Sequence, residues 1–126
     1  MKIILAVGLG SFLGGISRYL LSGLVQAKTA GHFPAGTFTV NVVGCLLIGM
    51  VYAFADRGQL STDWRLFLAT GILGGFTTFS AFSYETFDFV KSGQYLNALL
   101  YIAGSIVLGV MTTAAGYITV TKYIIN

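Results

Sequence analysis

The sequence predicts an all-α membrane protein of four transmembrane helices, and three observations carry that reading. Hydrophobic residues make up 56% of the 126, against seven basic and four acidic side chains, where a soluble domain carries roughly a quarter charged residues. The mean hydropathy is positive, at +0.83. Four apolar runs, each near the ~20 residues that cross a hydrocarbon core about 30 Å thick, are joined only by "QAKTAGHFP", "ADRGQLSTD" and "KSGQ". A single four-helix transmembrane domain over residues 1–126 leaves no room for a soluble catalytic domain.

The first run, Ile3 to Val25, is interrupted by one charge, Arg18. Lys2 ahead of an apolar stretch imitates a signal peptide, but the stretch is too long and lacks a small-x-small cleavage site, so a retained helix is expected. Its "GLGSFLGG" places Gly10 and Gly14 four apart beside Ser11 and Gly15. Small residues at that spacing let helix backbones approach closely inside a membrane. The same string is not a dinucleotide fingerprint, because the spacing fails and no strand precedes it. Arg18 reads either as a snorkelling anchor on helix-end carbonyls or as a guanidinium that draws anions to a pore mouth.

The second run, Ala35 to Phe54, is uncharged and carries Asn41 within "GTFTVNVVG". A polar side chain inside a span is a functional candidate by default. Asn41 is either an interhelical clasp or an amide donor to a passing solute. Cys45, the only cysteine, reads as a small packing residue, and no intrachain disulfide can form.

The third run, about Trp64 to Val90, has Arg65 at its start and Glu85 and Asp88 near its end. Glu85 reads as a buried hydrogen-bond partner or a proton site, and Asp88 as a solvated carboxylate. Gly71, Gly74 and Gly75 predict a helix broken near mid-membrane. Lipid offers no partners for the freed backbone, so such a break implies a protein-lined site, often one whose carbonyls bind a cation. Beyond it, Phe79 and Phe82 project from one face among Thr77, Thr78, Ser80 and Ser83. A phenyl ring has a positive edge. Ring edges with hydroxyl or amide donors can replace part of the hydration shell of a small, hard anion without a full positive charge.

The fourth run, Tyr95 to about Thr121, is uncharged. Tyr101 and Ser105 share a face, and Thr112 and Thr113 follow. They form either a continuous hydroxyl track or threonines bonded back to their own helix. Gly44, Gly49, Gly104, Gly109 and Gly116 extend the packing logic to the second and fourth helices.

Four spans place both termini and the second loop on one side, with Lys2, Arg57, Arg65 and Lys122. Lys28 and Lys91 lie opposite, with Arg18 if it snorkels. The Lys/Arg excess that normally sets orientation nearly vanishes. Two readings follow: a weak preference completed by other signals, or dual topology with copies inserted both ways. The net charge of +3 does not indicate nucleic-acid binding.

"GGFTTFSAFSYE" resembles the signature of the bacterial fluoride channels, the Fluc or CrcB family, and "GISRY" and "GTFTVNVVG" are similar to its companion motifs in order and spacing. The likeness covers essentially the whole chain. It implies an antiparallel dual-topology homodimer in the bacterial inner membrane, with two pores that pass fluoride, reject chloride and so export fluoride passively. Carried over by position, Phe79 and Phe82 would meet fluoride with their ring edges and Asn41 would line the pore. Arg18 would stand at the vestibule, and Thr78, Ser80, Glu85, Tyr101 and Ser105 would belong to the polar path. The carbonyls of Gly74 and Thr77 would hold a structural sodium ion, Na+, shared between the copies. Ala81 stands where the family usually has Thr, and Gly109 where some members have Ser; Thr112 and Thr113 have no certain counterpart.

Two other classes compete. A proton-coupled exporter of cationic compounds needs a membrane-embedded carboxylate, typically in the first helix, where this chain has Arg18; Glu85 is the only substitute. A non-transporting scaffold would not need a polar third helix. An enzyme is not expected, since no nucleophile–base set exists and His32 stands alone in a loop.

Overall fold

The computed structural model describes residues 1–125. Four helical spans, Lys2–Lys28, Ala35–Asp56, Thr62–Lys91 and Tyr95–Ile124, are each long and apolar enough to cross a membrane. They extend the apolar runs by a few residues at their ends, because charged and polar side chains there still continue the backbone ladder. Among the described residues there is no strand.

The ends have local causes. The first helix closes at Thr29, whose hydroxyl donates to the Val25 carbonyl at 2.9 Å. The third span starts at Ser61, whose hydroxyl accepts from the Trp64 N–H at 3.4 Å, with Asp63 facing the positive end of the helix dipole. Gly58 and Gly93 turn the second and third loops at φ values of +69° and +73°, a region that side chains resist.

Contacts divide the bundle into two pairings. The first helix lies against the N-terminal half of the third span, and the second helix against the fourth, while the first and second helices join the pairs. Glycine sets each approach. A methyl group on Gly10 would sit 2.9 Å from the Cα of Gly71, and one on Gly14 or Gly75 would strike the carbonyls of Ile72 or Ser11. Between the second and fourth helices, Gly49 faces the Thr113 carbonyl and Gly116 the Leu46 carbonyl with the same absence of room. A methyl group on Gly8 or Gly15 would meet nothing within 4 Å.

Fully enclosed side chains are few, with Val40, Ala53 and Val120 at 0% exposure. Leu5, Leu9, Phe12, Leu20 and Leu24 of the first helix all face outward. Such a surface would be a liability in water and suits hydrocarbon, where close packing holds helices together.

The glycines expected to break the third span do not do so. Leu66–Leu73 is a wide π-helical stretch and Gly74–Phe76 is α-helical, with Gly74 at φ −63°, ψ −37°. Gly71 and Gly75 instead serve the contact with the first helix. Helical dihedrals stop two residues later, at Thr77 (φ −88°, ψ 158°) and Thr78 (φ −148°, ψ 114°), before a helix resumes over Phe79–Lys91. Both are β-branched, a class that accepts extended geometry readily. The resumed helix packs against the fourth and second helices.

Candidate functional site

The site grows from those two threonines. In an uninterrupted helix the Gly74 carbonyl would accept from the Thr78 N–H, and the Thr77 carbonyl from the Ala81 N–H. Here the Thr78 N–H donates to Asn41 Oδ1 at 2.8 Å, and the Ala81 N–H donates to the Thr78 hydroxyl at 3.2 Å. The carbonyls of Gly74 and Thr77 thus lose their helical donors. The Gly75 carbonyl accepts from Arg18 Nε at 3.1 Å instead.

Asn41 completes a reciprocal pair, since its Nδ2 donates to the Thr78 carbonyl at 3.1 Å. A primary amide on the second helix therefore stands in for a strand partner, satisfying both backbone groups of an extended, half-buried residue. One of its two N–H bonds is spent on Thr78 and the other remains. Gly44, one turn along, leaves room for the Thr77 methyl, which a side chain there would strike. Thr78 also caps the resumed helix, and its hydroxyl lies 3.3 Å from that of Ser80.

Asn41, Thr78, Phe79, Phe82 and Ser105 line one groove of about 390 Å³, together with Gly74 and Thr77. No charged side chain lines it. The rings of Phe79 and Phe82 lie 5.6 Å apart at 47°, and Phe82 lies 5.1 Å from Tyr101 at 56°. Phe79 is 77% exposed, so its ring projects from the single chain. Ser80 is exposed as well.

Beyond the rings, Glu85 joins three spans. Its Oε1 accepts from the Thr37 hydroxyl at 2.6 Å and its Oε2 from the Tyr101 hydroxyl at 2.7 Å. Tyr101 is 1% exposed and is surrounded by Phe33, Phe38, Phe82 and Phe89. Two hydroxyl donors compensate a carboxylate held among rings.

The remaining sequence candidates separate. Thr112 donates to the carbonyls of Leu108 and Gly109 at 2.8 and 3.1 Å, and Thr113 to that of Gly109 at 3.0 Å. Both hydroxyls thus bond back to their own helix, and that of Thr112 also reaches the Val42 carbonyl of the second helix at 3.3 Å. Asp88 pairs with Lys91 at 3.0 Å on the surface. Ala81 takes part through its N–H alone. Sequence reasoning misses Thr37 and Phe33. Thr37 lies four residues before Asn41 on the same helical face, a spacing that could have flagged it.

Comparison with known proteins gives the family. A family profile described as CrcB-like protein, Camphor Resistance (CrcB) matches residues 5–117. A fluoride-specific ion channel FluC of Thermus thermophilus is 46% identical over 93% of this chain and 94% of its own length. Proteins of the same name from Phocaeicola vulgatus and Desulfotalea psychrophila are 44% and 43% identical. Those alignments cover 92% and 98% of this chain, and 96% and 95% of the relatives. With a profile match over nearly its whole length and relatives this similar end to end, the chain belongs to the CrcB family.

Proposed function

We propose that this protein is a passive, fluoride-selective ion channel that lowers cytoplasmic fluoride by export across the bacterial inner membrane, and not an enzyme. The observation that carries the reading is the interruption at Thr77–Thr78, which borders an uncharged, largely apolar groove that also holds the Phe79 and Phe82 rings, the Ser105 hydroxyl and the Asn41 amide. A small anion that sheds part of its water there meets the edges of Phe79 and Phe82, the unspent N–H of Asn41 and the hydroxyls of Ser80 and Ser105. Closely set donors favour fluoride over the larger chloride, and the lack of a full positive charge lets the ion leave. Arg18 supplies the positive potential that draws anions towards the entrance. Glu85, Thr37 and Tyr101 form a polar station beyond the rings.

The near balance of Lys and Arg supports insertion in both orientations, and the protruding Phe79 supports a second copy facing this one. The reading is therefore an antiparallel dimer with two pores. The carbonyls of Gly74 and Thr77, released from helical bonding, fit a hard cation that prefers oxygen ligands. Two copies would offer four such oxygens, and a sodium ion held there would tie the two interruptions together.

The test is efflux. Purified protein in liposomes loaded with fluoride should discharge it as read by a fluoride electrode, and the same vesicles loaded with chloride should retain it. Trapped fluoride, or equal passage of chloride, would sink the reading.

A further inference from the structure

We propose that Gln26, in the last turn of the first helix, is a positioning residue for the Glu85 cluster. The inference rests on the conduction reading above. The second helix begins without a side-chain cap, because Pro34 occupies the capping position and has no side-chain oxygen to offer. The first N–H groups of a helix lack partners within it. Gln26 supplies one from outside: its Oε1 accepts from the Gly36 N–H at 3.1 Å, while its Nε2 donates to the Phe33 carbonyl at 3.1 Å. One amide thereby holds the chain on both sides of Pro34. Gly36 lets the helix start seat on the first helix, since a methyl there would strike the Ser22 carbonyl.

Both held residues lead to the same cluster. Thr37, next to Gly36, is buried and donates to Glu85 Oε1. The ring of Phe33 stands edge-on to Tyr101, 5.5 Å between centroids at 79°, and Tyr101 donates to Glu85 Oε2. Gln26 is thus the common support of one donor to the carboxylate and of the ring beside the other. Gln26 is itself exposed, so its hydrogen bonds compete with water. Their loss loosens the loop without unfolding the span.

The experiment compares Gln26→Leu, Thr37→Val and the double variant in fluoride-loaded liposomes, with amide hydrogen exchange over residues 33–37 as a second readout. Gln26→Leu should slow efflux by about fivefold, the worth of one ordinary hydrogen bond, and speed exchange in that segment. The double variant should lose less than the product of the two single losses, because the Thr37 arm is common to both while the Phe33 arm belongs to Gln26 alone. Gln26→Glu keeps the acceptor for Gly36 and should fall between wild type and Gln26→Leu; it carries the comparison if Gln26→Leu does not assemble. Wild-type efflux from Gln26→Leu, or losses that multiply in the double variant, would overturn this inference alone. Wild-type liposomes that release no fluoride would overturn the conduction reading and this inference with it.

Discussion

The two halves of the third span are packed by opposite means. Before Thr77 the span meets the first helix backbone to backbone, through Gly71 and Gly75 against Gly10, Ser11 and Gly14. After Thr78 it meets the second and fourth helices through side chains: the Phe82 ring on Tyr101, and the Glu85 carboxylate between Thr37 and Tyr101. In the first half the glycines remove side chains from the closest points of approach, so backbone meets backbone there. The second presents chemistry, and its shape depends on hydrogen bonds that can be deleted one at a time. Asn41 and Arg18 serve the junction, where backbone groups leave one ladder before joining the next.

The contrast breaks most severely on the glycine side. Gly14→Ala should cost at least about 3 kcal/mol, the upper end of overpacking penalties, because its methyl meets the Ile72 carbonyl and a backbone cannot rotate away. The readout is loss of the monodisperse peak in detergent. Gly15→Ala, with open space at that position, should stay within about 0.5 kcal/mol of wild type.

The junction comes next. Asn41→Ala leaves the Thr78 N–H and carbonyl unpaired at a cost of about 1–3 kcal/mol. Fluoride efflux should fall by about tenfold or more, since tenfold corresponds to about 1.4 kcal/mol. Asn41→Asp sharpens this test: it can still accept from Thr78 but sets a carboxylate oxygen against the Thr78 carbonyl, so it too should fail. Efflux at the wild-type rate from either variant would detach Asn41 from the path.

On the side-chain half, Phe79→Ile and Phe82→Ile should cut efflux while assembly survives. Phe82→Ile should also lower stability by about 1 kcal/mol through the lost Tyr101 contact, and Phe79→Ile by less, because that ring is 77% exposed. Unchanged efflux would remove the rings from the mechanism. The smallest effect is expected at Thr112→Val, whose hydroxyl makes its shortest bonds within its own helix and only a long one, 3.3 Å, to Val42; efflux should stay within about twofold of wild type.

What can be read in advance follows the range of the interactions involved. Four spans are legible because hydropathy is a local property summed over a window. Gly10 and Gly14 announce a close helix contact, yet nothing local identifies Gly71 and Gly75 as the opposite face. Taken alone, those glycines look like breakers; the interruption falls instead at Thr77–Thr78, where a side chain 37 residues away supplies the missing partners. Thr37 escapes notice because its significance lies in Glu85, 48 residues further on. Phe33 escapes for the same reason, its partner Tyr101 belonging to another helix. Thr112 and Thr113 leave two readings open, and in the structure both bond back to their own helix while Thr112 also reaches Val42 on the second.

The claim that an uncharged groove selects fluoride passively is tested most directly by a reversal potential. A planar bilayer containing the protein is bathed with a fluoride gradient in one direction, a chloride gradient in the other and a pH step imposed independently. The account predicts a reversal potential that follows the fluoride gradient alone. A potential that follows chloride, or moves with the pH step at fixed fluoride, would contradict it.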